Sequence, residues 1–258
     1  KLGVIGAGMM GAEIALVFAM AGKSVMLNDT AQERLDEALK KLSAVLDTGI
    51  SRKFWTEEEK LATLANISPT TNLQDFSDRQ MVIEAVFEDA EVKGQVFKKL
   101  DKILDPNCIV ASNTSSISIT VLSANVSEAR QKNFVGLHFF SPVHRMKLVE
   151  VINGMDSSAE ALEVATQACK DAGKIPIQVK DVVGFAVNRM LFALWNEALR
   201  LVEEGACTPE DIDIGCKLGL GHPVGPFELM DLTSNTLNLQ VGNILEDAYG
   251  DRFHPRPI

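Results

Sequence analysis

Short apolar runs alternate with longer amphipathic stretches along the first two-thirds of the chain. Leu2-Gly3-Val4-Ile5 is an apolar strand that ends in glycines, and residues 12–21 read as a helix stopped by Gly22. Ser24-Val25-Met26-Leu27 forms a second strand, closing at Asn28-Asp29. Further strands are expected at residues 81–86, 108–111, 134–139, 148–152 and 175–179, with helices between most of them, including 90–104 and 159–172. Strands alternating with helices imply a largely parallel, doubly wound α/β sheet covered on both faces.

Two stretches break that rhythm. Residues 31–66 are helical throughout, with Leu35, Leu39, Leu42 and Leu46 at helical spacing. That is long for one crossover and predicts a helix pair projecting from the sheet. After Asp181 the strands cease. Residues 183–204 form a strongly apolar helix, and Thr208-Pro209-Glu210-Asp211 starts another, with Thr as N-cap and Pro at the first helical position. The turn-dense run from Gly219 to Pro226 leads into at least one more helix. The expected division is an α/β domain over 1–181 and an all-helical domain over 182–258, whose first helix is apolar enough for a domain core or a subunit interface.

Composition narrows the function classes. The 258 residues are 46% hydrophobic and 23% charged, enough for a sizeable core. A formal net charge of -10 argues against nucleic-acid or anionic-membrane surfaces, and no apolar run approaches the roughly 20 residues that span a bilayer. Cys108, Cys169, Cys207 and Cys216 are widely spaced, so neither a disulfide framework nor a metal site is expected, and free thiols in a reducing cytoplasm are the plain reading. Because the first residue is Lys1 rather than Met, the natural start is expected to lie upstream.

Against that background a few residues carry chemistry. Gly6-Ala7-Gly8-Met9-Met10-Gly11 follows a strand and opens a helix, and Asp29 ends the next strand. Gly6 permits the tight turn, Gly8 lets a pyrophosphate approach the backbone, and Gly11 lets the helix pack on the strand. The helix N-terminus favours phosphate, and Asp29 suits ribose hydroxyls while repelling a 2′-phosphate. The α/β domain is therefore Rossmann-like and its cofactor NAD.

His138 and Glu150 each sit in an otherwise apolar strand, the two joined by the short segment Ser141 to Lys147. A lone histidine there reads first as a hydrogen-bonded core residue. A carboxylate on the neighbouring strand changes that reading, because it must be paired, and an imidazole so held suits a general base. Ala111-Ser112-Asn113-Thr114-Ser115-Ser116 follows a strand at its carboxyl end, where open α/β sheets bind ligands. Asn188, in Gly184-Phe185-Ala186-Val187-Asn188-Arg189, reads as a polar group inside an apolar helix with a hydrogen-bonding task.

Taken together, the glycine loop, the 111–116 stretch, His138-Phe139-Phe140-Ser141-Pro142, Met146 to Val151, Gly184 to Arg189 and Gly221 to Asp231 resemble the L-3-hydroxyacyl-CoA dehydrogenases over essentially the whole chain. Within that family the chain is most similar to the bacterial short-chain branch that acts on 3-hydroxybutyryl-CoA. The resemblance implies reversible NAD-dependent oxidation of a (3S)-3-hydroxyacyl-CoA to the 3-ketoacyl-CoA, in fatty-acid or butanoate metabolism. His138 would be the base and Glu150 its orienting partner, with Ser115 and Asn188 holding the substrate oxygens. Glu88, Lys93, Ser115 and Ser141 match cofactor contacts, and Arg52 and Lys53, at the helix pair, are candidate CoA phosphate partners. The family also implies a homodimer through the helical domain and a Gly- and aromatic-containing tail beyond Pro257. Ser141 stands where the family usually has Asn, and Asp231 to Asn235 lacks a customary Gly. Two other readings remain: a β-hydroxyacid dehydrogenase, which would leave His138 and Glu150 unexplained, and a non-catalytic dinucleotide-binding structural protein of the same descent.

Overall fold

Burial along the strands falls from the centre of the sheet to its edges, and this gradient follows the sequence. The computed structural model describes residues 1–256, apart from the Leu237 side chain; Pro257 and Ile258, from which the expected tail would continue, lie outside the described residues. Strands β1 (Leu2–Ile5), β4 (Met81–Glu84), β5 (Ile109–Ser112) and β6 (Phe134–Phe139) are buried at every position. Between them in sequence come β2 (Val25–Asn28) and β3 (Ile67–Thr70), and after them β7 (Leu148–Asn153) and β8 (Ile175–Lys180). The sheet order is β3-β2-β1-β4-β5-β6-β7-β8, so β3 and β8 are edges, and both are largely open to solvent.

All neighbours pair in parallel except β6 and β7. The strand order reverses between β1 and β4, and such a switch point leaves a crevice at the carboxyl ends of the strands. The β3 strand was not expected. Its sequence, Ile-Ser-Pro-Thr, has one buried residue and a proline, which a sheet accepts at an edge.

Helices α1 (Met9–Met20), α2 (Gln32–Ser51), α3 (Glu57–Ala65), α4 (Ala90–Leu100), α5 (Ile119–Ser123), α6 (Glu128–Gln131) and α7 (Ala159–Asp171) belong to this α/β part. The expected helix pair is α2 and α3. Leu35, Leu42 and Leu46 put the apolar stripe of α2 into the main core, and Thr56 with Glu59 forms a capping box that starts α3.

The chain divides into two compact units, Lys1–Asp181 and Val182–Ile258. The second contains α8 (Val187–Glu203), α9 (Pro209–Gly219), α10 (Pro226–Asp231) and α11 (Asn235–Tyr249), with a small core of Phe192, Trp195, Leu245 and Phe253. One expectation is corrected here. The first helix of this unit begins at Val187, not Val183, because Gly184 and Phe185 take positive φ (72° and 45°) and cannot continue a right-handed helix. Asn188 therefore lies in the first turn rather than in the helix interior. Thr208 does cap α9, accepting from the Asp211 N–H at 3.1 Å. No helix among the described residues is long and apolar enough to cross a membrane.

Candidate active site

The β1–α1 turn is shaped by its glycines. Gly6 has φ +98°, in the left-handed half of the map, and its N–H donates to the Asn28 carbonyl. A Cβ on Gly11 would fall 1.9 Å from the Gly6 carbonyl oxygen, so only glycine lets helix and turn approach this closely. A Cβ on Gly8 would meet nothing within 4 Å, because Gly8 faces an open cleft of about 780 Å³. Gly8 is also the N-cap of α1, and no side chain caps that helix. Backbone N–H groups and the positive end of the helix dipole are thus offered to the cleft, a fit to a pyrophosphate.

The cleft is walled by Met9, Phe87 and Val92, large apolar side chains left exposed as a flat-ring ligand would need, and by Asp29 at its polar end. Asp29 is buried and does a second job. One carboxylate oxygen accepts from the Ala7 N–H at 2.9 Å and the other from the Thr30 N–H at 2.8 Å, so the acid also fixes the glycine turn. Arg34 stands 3.8 Å from it and is mostly exposed. Ala7, Met9 and Met10, named with the glycines from the sequence, occupy the turn and the first residues of α1. Among the described residues there is no cluster of three His, Cys, Asp or Glu side chains that could hold a metal.

Behind the next two strand ends lies a buried charge network. Lys93, on α4, has no exposed surface and donates to Glu84 Oε1 at 2.7 Å, with Glu88 Oε2 at 3.2 Å. The other Glu84 oxygen accepts from the Ser112 hydroxyl at 2.6 Å. Glu88 Oε1 accepts from the Thr114 hydroxyl (2.5 Å) and from the N–H groups of Ser115 (2.8 Å) and Ser116 (3.1 Å). One carboxylate therefore gathers the whole loop that presents Ser115. Burial pushes the Glu84 carboxyl above its ordinary range despite Lys93. Burial also acts on Glu88, but the Lys93 charge and the loop donors outweigh it and hold that carboxyl low. The Lys93 ammonium is turned inward to the two glutamates, and the surface of the site is formed by the groups it holds.

His138 and Glu150 are opposite partners in the antiparallel β6–β7 ladder, so their side chains share one face. The His138 Nδ1 to Glu150 Oε2 distance is 2.7 Å, with Glu150 fully buried and His138 nearly so. An Nδ1–H directed at a carboxylate selects one tautomer and makes Nε2 the basic nitrogen. The Phe140 ring packs against the imidazole, centroids 4.5 Å apart. Asn113 ties this strand to the Ser115 loop by accepting from the Phe139 N–H at 2.9 Å. Ser141 is exposed where β6 ends.

The remaining expected residues lie elsewhere. Asn188 is half-buried at the start of α8, in the second unit. Arg52 caps the end of α2 and lines a cleft of about 210 Å³ with Trp55, His144 and Arg145. Lys53 follows it with φ +62° and is exposed, outside that cleft's lining.

Several residues that build the site were not singled out by the sequence. Glu84 ends an apolar strand, the same signal that revealed Glu150. Ser112 and Asn113 lie in a stretch already marked, but nothing in their spacing tells which of its polar groups faces which strand. Glu13 and Lys174 had no signal, since a carboxylate on a helix and a lysine after a glycine usually face water.

With this geometry in view, comparison with known proteins is direct. The family model for the 3-hydroxyacyl-CoA dehydrogenase NAD binding domain matches residues 1–182, and that for the C-terminal domain of the same enzymes matches residues 184–258. A probable 3-hydroxybutyryl-CoA dehydrogenase of Deinococcus radiodurans is 40% identical over 100% of this chain and 92% of its own. The mitochondrial hydroxyacyl-coenzyme A dehydrogenase of Sus scrofa is 43% identical over 98% of this chain and 83% of its own. The crystal structure of (S)-3-hydroxybutyryl-CoA dehydrogenase from Ralstonia eutropha superposes with a TM-score of 0.95 at 39% identity, over 98% of this chain and 89% of that one.

Proposed function

The chain belongs to the 3-hydroxyacyl-CoA dehydrogenases, and from that premise we propose that it oxidises short-chain (3S)-3-hydroxyacyl-CoA, such as 3-hydroxybutyryl-CoA, with His138 as its general base. It is an NAD-dependent oxidoreductase. The observation that carries the residue roles is the buried His138–Glu150 pair, since a carboxylate at Nδ1 fixes the ring and the tautomer that presents the Nε2 lone pair for proton transfer.

Bound NAD supplies the hydride acceptor. As the C3–H bond breaks and its electron pair departs as hydride, His138 Nε2 takes the hydroxyl proton and the C3–O bond becomes a carbonyl. In the reverse direction the imidazolium returns that proton. Glu150 holds the ring and the positive charge throughout. Ser115, fixed by Glu88, and Asn188 in the helical unit are assigned to the substrate oxygens. Gly6 to Gly11 and Asp29 are assigned to the pyrophosphate and adenosine ribose, and Glu88 and Ser141 to the nicotinamide side, with Lys93 acting through Glu88. Arg52 and Lys53 are the proposed partners of the CoA phosphates, and Arg52 is the better supported because it lines a cleft. A β-hydroxyacid dehydrogenase reading leaves the His138–Glu150 pair without a task.

We further propose a cytoplasmic homodimer formed by the second unit, which exposes Met190, Leu218, Leu220, Leu232 and Leu239. Sedimentation equilibrium tests this, and a monomer at micromolar concentration contradicts it. NADH consumption with acetoacetyl-CoA and with long-chain 3-ketoacyl-CoA esters tests the substrate reading. The four-carbon ester should give the highest kcat/KM; a preference for long chains overturns the short-chain assignment, and no turnover of any ester overturns the enzymatic one.

A further inference from the structure

The loop that joins the His138 strand to the Glu150 strand is held from two distant places. It runs from Ser141 to Lys147 and makes little structure of its own, the Pro142 carbonyl accepting from the N–H groups of Arg145 and Met146. At its centre Val143 has no exposed surface, so the peptide groups there need internal partners. Side chains provide them. Glu13 Oε2 accepts from the Val143 N–H, and Lys174 Nζ donates to the Val143 carbonyl and, at 2.9 Å, to the Met146 carbonyl.

The two clamping residues come from informative positions. Glu13 is on α1, two residues past Gly11, on the helix whose N-terminus opens the dinucleotide turn. Lys174 immediately precedes β8, which pairs with the strand of Glu150. Lys174 is buried, and among the described residues no carboxylate lies within ion-pair distance of it; its bonds go to main-chain carbonyls. Enclosing a lysine in this way is costly, and an apolar side chain would pack there more cheaply. What the lysine adds is a fixed position for the loop.

We propose that Glu13 and Lys174 are positioning residues for hydride transfer, clamping the Ser141–Lys147 loop so that His138 and Ser141 keep a set place relative to the dinucleotide helix. The proposal rests on the reaction assigned above. Neither residue touches a reacting atom. Glu13 links the helix that holds one reactant to the loop beside the base, and Lys174 links that loop to the strand beside Glu150. Releasing either end lets the base and the nicotinamide side drift apart while both remain present.

The test compares Lys174→Met, Lys174→Arg and Glu13→Ala with the parent protein, using 3-hydroxybutyryl-CoA and its C3-deuterated form. Lys174→Met and Glu13→Ala should lower kcat by roughly tenfold or more, with the KM for NAD and the affinity for NADH changed by less than about threefold. The primary deuterium isotope effect on kcat should rise, because hydride transfer becomes slower relative to product release. Lys174→Arg, which retains the charge and donors, should recover much of the rate. Circular dichroism reports whether each variant is folded, and Glu13→Ala decides the matter if Lys174→Met is not, since alanine favours the helix. A kcat within about twofold of the parent in folded variants overturns the proposal, as does a loss of rate that only follows the folded fraction with an unchanged isotope effect. A parent protein that does not turn over the substrate overturns the reaction assignment instead, so the two failures are distinct.

Discussion

Lys93 and Glu84 form an ion pair, 2.7 Å apart, in which neither side chain has any exposed surface. Such a pair contributes little net stability, but losing Glu84 leaves the buried Lys93 with Glu88, at 3.2 Å, as its remaining carboxylate partner. Replacing Glu84 with Ala should therefore destabilise the protein by about 3–5 kcal/mol, read from denaturant melts. A loss under about 1 kcal/mol would show that Glu88 alone compensates the Lys93 charge and would contradict a structural need for Glu84.

The neighbouring Glu88 gives a pH dependence with a definite sign. The Lys93 charge and the Thr114 and Ser115 donors, opposed by burial, hold its carboxyl below the ordinary 4.5. The folded state thus binds fewer protons there than the unfolded state. The stability Glu88 contributes is complete above that ordinary value and is lost as pH falls through the lowered one. Glu84, raised by burial, acts in the opposite sense: acidification through the interval above its ordinary value favours the folded form. Thermal melts of the parent and of Glu88→Gln between neutral pH and pH about 3 check this. The variant should be less stable at neutral pH, and the gap should close on acidification. A gap independent of pH contradicts the assignment.

The glycine turn predicts two different failures. Gly11→Ala forces a Cβ against the Gly6 carbonyl and should lower the melting temperature. Gly8→Ala meets no neighbour, so the melt should be unchanged while NADH affinity, measured by fluorescence titration, falls. Gly8→Ala with full NADH affinity would contradict the phosphate assignment of the turn.

Asp29→Ser should weaken NAD binding by roughly tenfold or more, the scale of losing hydrogen bonds to a charged group, and should narrow the preference for NAD over NADP. Unchanged NAD affinity would leave Asp29 with only its structural bond to the Ala7 N–H.

Thiol titration of the native protein at mildly alkaline pH should show one fast equivalent, from the exposed Cys207. Cys108 and Cys169 are buried, with their thiols pushed up to about 12, so they should react only on unfolding. Rapid modification of more than one thiol in the folded protein would contradict the burial.

The sequence was most legible where a local pattern has one physical purpose. The glycine spacing and the acid at the end of β2 describe a cofactor turn within one βαβ unit. His138 and Glu150 were recognisable because an ionisable group in an apolar strand needs a partner, and the seven-residue link limits where that partner lies. Glu84 carried the same signal, but its partner Lys93 sits on a helix that reads as amphipathic and solvated. The clamp on Val143 was illegible for a different reason: its partners lie 130 and 31 residues away in the chain. The start of α8 was misplaced because Val183 to Val187 is as apolar as the helix it precedes, and only the positive φ at Gly184 and Phe185 separates them.

The most direct test of the account is His138→Gln, which keeps the size of the side chain but removes the base. The prediction is a fall in kcat for acetoacetyl-CoA reduction of roughly 10²-fold or more, with NADH affinity and thermal stability near those of the parent. A variant that retains the parental kcat, or that loses NADH binding in step with turnover, would contradict the role of His138 as the proton-transferring group.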